Sequence, residues 1–150
     1  MPCCQLSSLH PQVVAARAFL SEAREKAKGL HQSGGSGFQV CSAWTDDVDE
    51  VVRRLIRVAL SELPNPPDAS KFVFVALAGY GRRDLAPYSD IDLMLLYRGS
   101  EAAIAPLARA IGQMIVDAGL QLSLAVRTPS QARSLAWIDA TALTSFVEMR

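Results

Sequence analysis

Two aspartates, Asp90 and Asp92, are the residues whose type and spacing point most directly to chemistry in this chain. They stand at the start of the apolar segment 91–97 (IDLMLLY), which is typical of a buried β-strand. Side chains two positions apart on a strand share a face, so the two carboxylates would lie close together and repel each other without a cation between them. Taken alone, an Asp-x-Asp pair usually faces solvent. With a phosphate-binding turn nearby it predicts catalytic residues that bind Mg²⁺.

A glycine-containing turn precedes the aspartates by about ten residues and supplies groups that bind phosphates. Gly79 and Gly81 have no side chain, which lets backbone N–H groups approach a triphosphate. Arg82 and Arg83 follow directly, and at least one of them can donate to phosphate oxygens, as can the Ser89 hydroxyl. A tight turn beside surface arginines explains each residue but not their order. We predict that Gly79, Gly81, Arg82 and Ser89 bind nucleotide.

Strands and helices must position these residues, and the apolar pattern predicts their order. Short segments rich in valine, phenylalanine or alternating leucine predict three strands, over 71–78, 91–97 and 120–126. Apolar residues at helical spacing, with caps and stop signals, predict four helical regions, over 11–28, from a cap at Thr45 to the prolines at 64–67, over 105–118, and over most of 130–150. The glycine-rich segment 33–37 predicts a flexible connector. This order predicts an α/β (α+β) fold preceded by N-terminal helices.

Composition narrows the class of protein. Of the 150 residues, 50% are hydrophobic and the formal net charge is zero, which fits a globular domain and argues against a dedicated nucleic-acid or membrane-surface binder. The three cysteines, Cys3, Cys4 and Cys41, form neither a disulfide framework nor a metal-ligand pattern. Their small odd number, with no secretory signal at the first residues, predicts a cytoplasmic protein.

The segment 78–92, AGYGRRDLAPYSDID, resembles a known family signature. It is similar to the Gly-Gly/Ser and Asp-x-Asp motif of polymerase-beta-type nucleotidyltransferases. More narrowly, it resembles the N-terminal domain of bacterial PII uridylyltransferases, whose pattern runs G-G-Y-G-R-x-E-L-x-P-x-S-D-x-D. The segments 126–128 (VRT) and 141–150 (TALTSFVEMR) also resemble that family.

The resemblance implies a small mixed sheet flanked by helices, UTP as the donor, Mg²⁺ as the cofactor and a tyrosine of the PII signal protein as the acceptor. By position, Gly79 and Gly81 would hold phosphates, and Asp90 and Asp92 would bind Mg²⁺. It further implies that residues 1–44 form an N-terminal helix and connector, and that residues 45–150 form a nucleotidyltransferase domain that continues beyond the final residue. Neither nucleic acid nor a membrane is an expected partner.

The sequence departs from the family pattern at two places. Ala78 stands where the family has its first glycine, which is a small change. The superfamily commonly carries a third carboxylate on a later strand, where this chain has Gln121 and Ser123, and neither is a competent base. Glu148 is a possible substitute. Tyr80 is expected either to contact the base or ribose or to pack in the core.

Two alternative functions therefore stay open. One is another nucleotidyltransferase of the same superfamily, acting on a small molecule. The other is a degenerate regulatory domain that binds nucleotide without catalysis, which the missing carboxylate favours. A chain without a third carboxylate near the aspartates is expected to bind nucleotide with Mg²⁺ and to transfer it slowly or not at all.

Overall fold

A three-stranded mixed sheet organises the computed structural model, which describes residues 9–150. Strand β1 (Phe72–Ala76) runs antiparallel to the central strand β2 (Ile91–Tyr97), and β2 runs parallel to β3 (Leu122–Arg127). The predicted strand 91–97 is confirmed. The other two strands are confirmed with shifted ends, since β1 stops at Ala76 and β3 extends to Arg127.

Helices cover both faces of the sheet. They are α1 (Pro11–Gln32), α2 (Gly37–Glu62), the one-turn α3 (Ala78–Gly81), α4 (Glu101–Asp117), α5 (Pro129–Ile138) and α6 (Ala140–Val147). Helix α4 connects the parallel strands β2 and β3, as a parallel pair requires. The fold class predicted from the sequence, a small mixed sheet flanked by helices, is confirmed.

The start of α2 corrects one prediction. Ser36 caps this helix, its side chain accepting from the Gln39 N–H while the Gln39 side chain accepts from the Ser36 N–H. Thr45 was expected at the cap, but it lies fully buried inside the helix and donates its hydroxyl to the Cys41 carbonyl at 2.7 Å. The reciprocal cap at Ser36 lets the helix begin nine residues earlier and shortens the predicted connector.

The core explains why β2 is apolar at nearly every position, with Asp92 as the exception. Helices α1, α2 and α4 cover one face of the sheet, against Ile91, Leu93 and Leu95. Met94, on the opposite face, packs with Val75, Leu77 and Ala132. A strand covered on both faces has no solvent side for polar residues. The two aspartates lie at its start, with Asp90 just before the strand and Asp92 as its second residue.

The last residues of the chain lie against β1. The Ala76 N–H donates to the Arg150 carbonyl at 2.8 Å, and the Arg150 N–H donates to the Ala76 carbonyl at 3.2 Å. Cys3 and Cys4 lie outside the described residues, whereas Cys41 is half-buried in α2. Within the described part of the chain, no helix is both long and apolar enough to cross a bilayer.

Candidate nucleotide and metal site

One cavity brings together most of the residues that the motif predicted. It has a volume of about 380 Å³ and lies between the α3 turn and the start of β2. Its lining comprises Gly79, Tyr80, Arg82, Asp84, Leu85, Ala86, Ser89, Asp90 and Asp92. Five of the six predicted site residues therefore line one cavity, and Gly81 does not.

The two aspartates form an electrostatically strained pair in this cavity. Asp92 is the second residue of β2 and is half-buried, whereas Asp90 is exposed just before the strand. Burial raises the pKa of Asp92, and the charge of Asp90 raises it further, although a hydrogen bond with Ser123 opposes the shift. A bound cation would relieve this repulsion, and two carboxylates beside a polyphosphate are a ligand set that Mg²⁺ accepts. The residues present therefore fit a magnesium ion.

A third carboxylate does not join the pair. Within residues 9–150, no three histidine, cysteine or acidic side chains lie close enough together to hold a metal. Ser123 stands directly opposite Asp92 on β3, at the place where a third acid would lie, and Gln121 precedes the strand. Glu148, the possible substitute, instead accepts a hydrogen bond from Arg82 at 3.1 Å.

The α3 turn places backbone N–H groups at the cavity. The chain leaves β1 through Leu77, whose N–H donates to the Asp92 carbonyl at 2.9 Å and so ties the turn to the aspartate strand. The first N–H groups of a helix have no acceptor within the helix, so those of α3 can face an anion. A side chain at Gly79 would place its Cβ 2.9 Å from Asp84 Oδ1, within the cavity. The absence of a side chain at Gly79 thus keeps the cavity open.

Ala78 carries the unusual backbone of this turn. Its φ of 49° lies in the left-handed region, which glycine adopts freely and alanine adopts at a cost. The family's first glycine therefore corresponds to a position that is conformationally demanding in this structure, and the substitution seen here is less neutral than the sequence suggested.

Gly81 is constrained by packing. A Cβ at Gly81 would lie 2.6 Å from the Glu148 carbonyl oxygen and 2.9 Å from the Ala76 carbonyl oxygen. Both contacts are with backbone, so neither can be relieved by rotating a side chain. The structure explains glycine here by close packing of α3 against β1 and the C-terminal segment, and a phosphate-binding role for Gly81 stays a prediction.

The two arginines of the motif lie in different places and have different partners. Arg82 lines the cavity, with its Nε donating to Asp84 Oδ2 at 2.8 Å. Arg83 turns away at a φ of 64° and pairs with Asp46 of α2. Arg82 is therefore the arginine placed to donate to phosphate, and exchanging Asp84 for a phosphate oxygen would preserve its ion pair.

A partly buried ion pair beside the turn was not predicted from the sequence. Arg150 donates to both carboxylate oxygens of Asp49, at 2.6 and 2.9 Å, and to the Tyr80 carbonyl. Burial by itself raises the pKa of Asp49, but hydrogen bonds from Arg150 and Tyr80 outweigh it and hold that pKa below its ordinary value. Burial and the bond to Asp49 raise the pKa of Tyr80, whose side chain is only 3% exposed. Tyr80 is thus a core residue that anchors the turn.

Comparisons with known proteins agree with this geometry. The family described as "Putative nucleotidyltransferase DUF294" matches residues 21–125. The chain is 32% identical over 137 residues to the bifunctional uridylyltransferase/uridylyl-removing enzyme of Nitrosococcus oceani, covering 89% of this chain and 15% of that protein. It is 30% identical over 148 residues to the enzyme of the same name from Azospirillum brasilense, covering 95% and 16%.

A third relative of that name, from Mycobacterium tuberculosis, is 42% identical over 84 residues, which cover 55% of this chain and 10% of that protein. The chain thus spans about a sixth or less of the length of these relatives. The family match covers both the glycine turn and the aspartates, so the resemblance noted at residues 78–92 is confirmed. The chain belongs to the DUF294 nucleotidyltransferase family.

Proposed function

We propose that this chain is a nucleotidyltransferase domain that transfers a uridylyl group from UTP to a tyrosine of a PII signal protein, with Mg²⁺ as the cofactor. The observation that carries the proposal is the cavity in which Asp90 and Asp92 face the α3 turn and Arg82. The relatives named uridylyltransferase support uridine as the nucleoside.

Four side chains of the cavity and the α3 backbone have a defined part in the proposed reaction. Asp90 and Asp92 would hold Mg²⁺, which when bound neutralises charge on the phosphates. The α3 N–H groups, Arg82 and the Ser89 hydroxyl donate to the triphosphate and orient it. The tyrosine oxygen forms a bond to the α-phosphorus, the bond from that phosphorus to the bridging oxygen breaks, and pyrophosphate leaves.

The proton of the acceptor tyrosine determines the expected rate. A phenol has a pKa near ~10, so its deprotonation at neutral pH calls for a base. Within the described chain no third acidic side chain lies close enough to Asp90 and Asp92 to share a metal with them, and Asp84, in the same cavity, accepts from Arg82. Ser123 occupies the position opposite Asp92. The proton would pass to solvent, and we expect firm binding of UTP with slow transfer. The same observation favours the second candidate, a nucleotide-binding domain without catalysis.

Incubation with UTP labelled at the α-phosphate and a purified PII protein separates these candidates. We expect label on the PII protein in the presence of Mg²⁺, and no label with the Asp92→Asn variant. Asp117→Asn is the matched control because Asp117 ends α4 and is not among the residues that line the cavity. UTP binding without any labelled PII protein would leave the binding domain as the function, and equal labelling by Asp92→Asn would refute the proposed site.

A further inference from the structure

A second cavity lies between the α3 turn and α6 and does not include the aspartates. Its volume is about 370 Å³, and it is lined by Ala78, Arg82, Ala140, Thr141, Thr144 and Ser145. Arg82 lines both cavities, and Ala78 is the chain neighbour of Gly79, which lines the first. The two cavities are therefore adjacent, with the phosphate-binding turn between them. We call this second space the α6 cavity.

Two of the three hydroxyls that line the α6 cavity, those of Thr144 and Ser145, are committed as donors. Thr144 Oγ1 donates to the Ala140 carbonyl at 2.8 Å, and Ser145 Oγ donates to the Thr141 carbonyl at 3.0 Å. A hydroxyl has a single hydrogen, so what remains for a ligand at Thr144 and Ser145 is the ability to accept. These acceptors sit beside alanine side chains, and the α6 cavity has no carboxylate among its lining residues. Apart from Arg82, which the two cavities share, such a surface suits an uncharged group that carries N–H or O–H donors.

We propose that the α6 cavity binds the nucleoside of the donor nucleotide, with Thr144 and Ser145 accepting from base or ribose donors. This inference rests on the proposed function, in which the phosphates lie on the α3 turn and Arg82. A nucleoside is uncharged, presents ribose O–H groups and, in uridine, a base N–H, and has flat apolar faces. Its size fits a space of this volume, and its phosphates would extend over Arg82 towards Asp90 and Asp92.

A larger cavity elsewhere on the sheet is too distant to serve the same nucleotide. It has a volume of about 630 Å³ and includes Phe72 and Tyr97, at the opposite ends of β1 and β2 from the aspartates. Along β2, Tyr97 is about 16 Å from Asp92, at about 3.3 Å for each residue. A nucleoside attached to an α-phosphate at the aspartates cannot reach that far, whereas the α6 cavity begins at the shared Arg82.

Calorimetric titration of the 1–150 chain tests the inference. The chain is titrated with UTP and, in a separate experiment, with tripolyphosphate, and Mg²⁺ is present in both titrations. Tripolyphosphate carries the phosphate chain without the nucleoside. The test variants are Thr144→Val and Ser145→Ala. The matched control is Ser61→Ala, since the Ser61 hydroxyl makes the same kind of helix bond, to the Val58 carbonyl at 2.8 Å, on α2.

We expect the wild-type chain to bind UTP more tightly than tripolyphosphate. Each test variant should lose about three- to tenfold in UTP affinity, the effect of one hydrogen bond, with tripolyphosphate affinity unchanged. Ser61→Ala should match the wild type with both ligands. A melting temperature for each variant verifies that the fold is intact, and two independent variants keep the test valid if one fails to fold.

The possible results distinguish failure of the nucleoside site from failure of the proposed function. Wild-type affinities that are equal for UTP and tripolyphosphate would overturn the nucleoside site alone. Unchanged UTP affinity in both test variants, or an equal fall for both ligands, would also overturn it. A wild-type chain that binds neither ligand would refute the proposed function, and the nucleoside site with it.

Discussion

The Gly81→Ala substitution tests whether glycine is required at position 81 by close packing of the α3 turn. The new Cβ would lie 2.6 Å from the Glu148 carbonyl oxygen, so that oxygen must retreat by about 0.8 Å to reach an ordinary contact. The Ala76 carbonyl, 2.9 Å from the same Cβ, already accepts from the Arg150 N–H at 3.2 Å. Retreat of the C-terminal segment therefore strains the backbone pair between Ala76 and Arg150.

The size of the effect follows from these contacts. Forced overpacking of this kind costs about 1–3 kcal/mol, and weakening the hydrogen bond of Arg150 to Ala76 costs about 1 kcal/mol more. The unfolded chain has less conformational entropy with alanine than with glycine, which offsets about 0.4–1 kcal/mol of this loss. We expect Gly81→Ala to lose about 2 kcal/mol of unfolding free energy, which lowers the melting temperature by about 4–8 °C in a chain of this size.

Gly112→Ala is the matched control in a thermal unfolding assay. Gly112 lies inside α4, and a Cβ there meets nothing within 4 Å. We expect this variant to gain about 0.5–1 kcal/mol, since alanine is the better helix former. A Gly81→Ala variant that is as stable as Gly112→Ala would refute the packing argument and return Gly81 to a phosphate-binding role alone.

Three further predictions follow from the turn and the aspartates. Ala78→Gly should stabilise the fold by about 0.5–1 kcal/mol by relieving the positive φ, and a lower melting temperature would contradict this. Without divalent cations, Asp92→Asn should raise the melting temperature at pH 7. The pKa of Asp92 is raised in the folded chain, which means that its ionised carboxylate destabilises the fold at that pH. That advantage should shrink as the pH falls through the raised pKa of Asp92 and vanish below its ordinary value of 3.8; a gain that is independent of pH would exclude the electrostatic cause. Ser123→Asp should place a third carboxylate opposite Asp92 and speed uridylyl transfer at least about tenfold, and an unchanged rate would show that deprotonation is not limiting.

Local sequence patterns predicted the parts of this fold that depend on local chemistry. The run 91–97 matched β2, because a strand covered on both faces must be apolar throughout. The spacing of Gly79, Asp90 and Asp92 predicted residues that line one cavity. The start of α2 was wrong because Thr45 offers the same hydroxyl as Ser36, and only the reciprocal bond with Gln39 distinguishes the true cap.

Contacts between distant residues could not be read from local patterns. Asp49 and Arg150 are separated by 101 positions, and Asp49 lies inside a helix that begins at Gly37 and not after the predicted cap at Thr45. Glu148 was considered as a third acid, yet its carboxylate accepts from Arg82. Its backbone, moreover, packs on Gly81. Each of these depends on where the C-terminal segment docks, which local spacing does not encode.

The magnesium dependence of UTP binding tests the carboxylate site most directly. Titration of UTP into the 1–150 chain, with and without Mg²⁺, should show that the ion tightens binding. Asp90→Asn and Asp92→Asn should each remove that gain, about tenfold or more in Kd, while melting curves show an intact fold. If these carboxylates hold the ion, the two variants bind UTP equally well with and without it. Either variant binding UTP with the wild-type dependence on Mg²⁺ would contradict it.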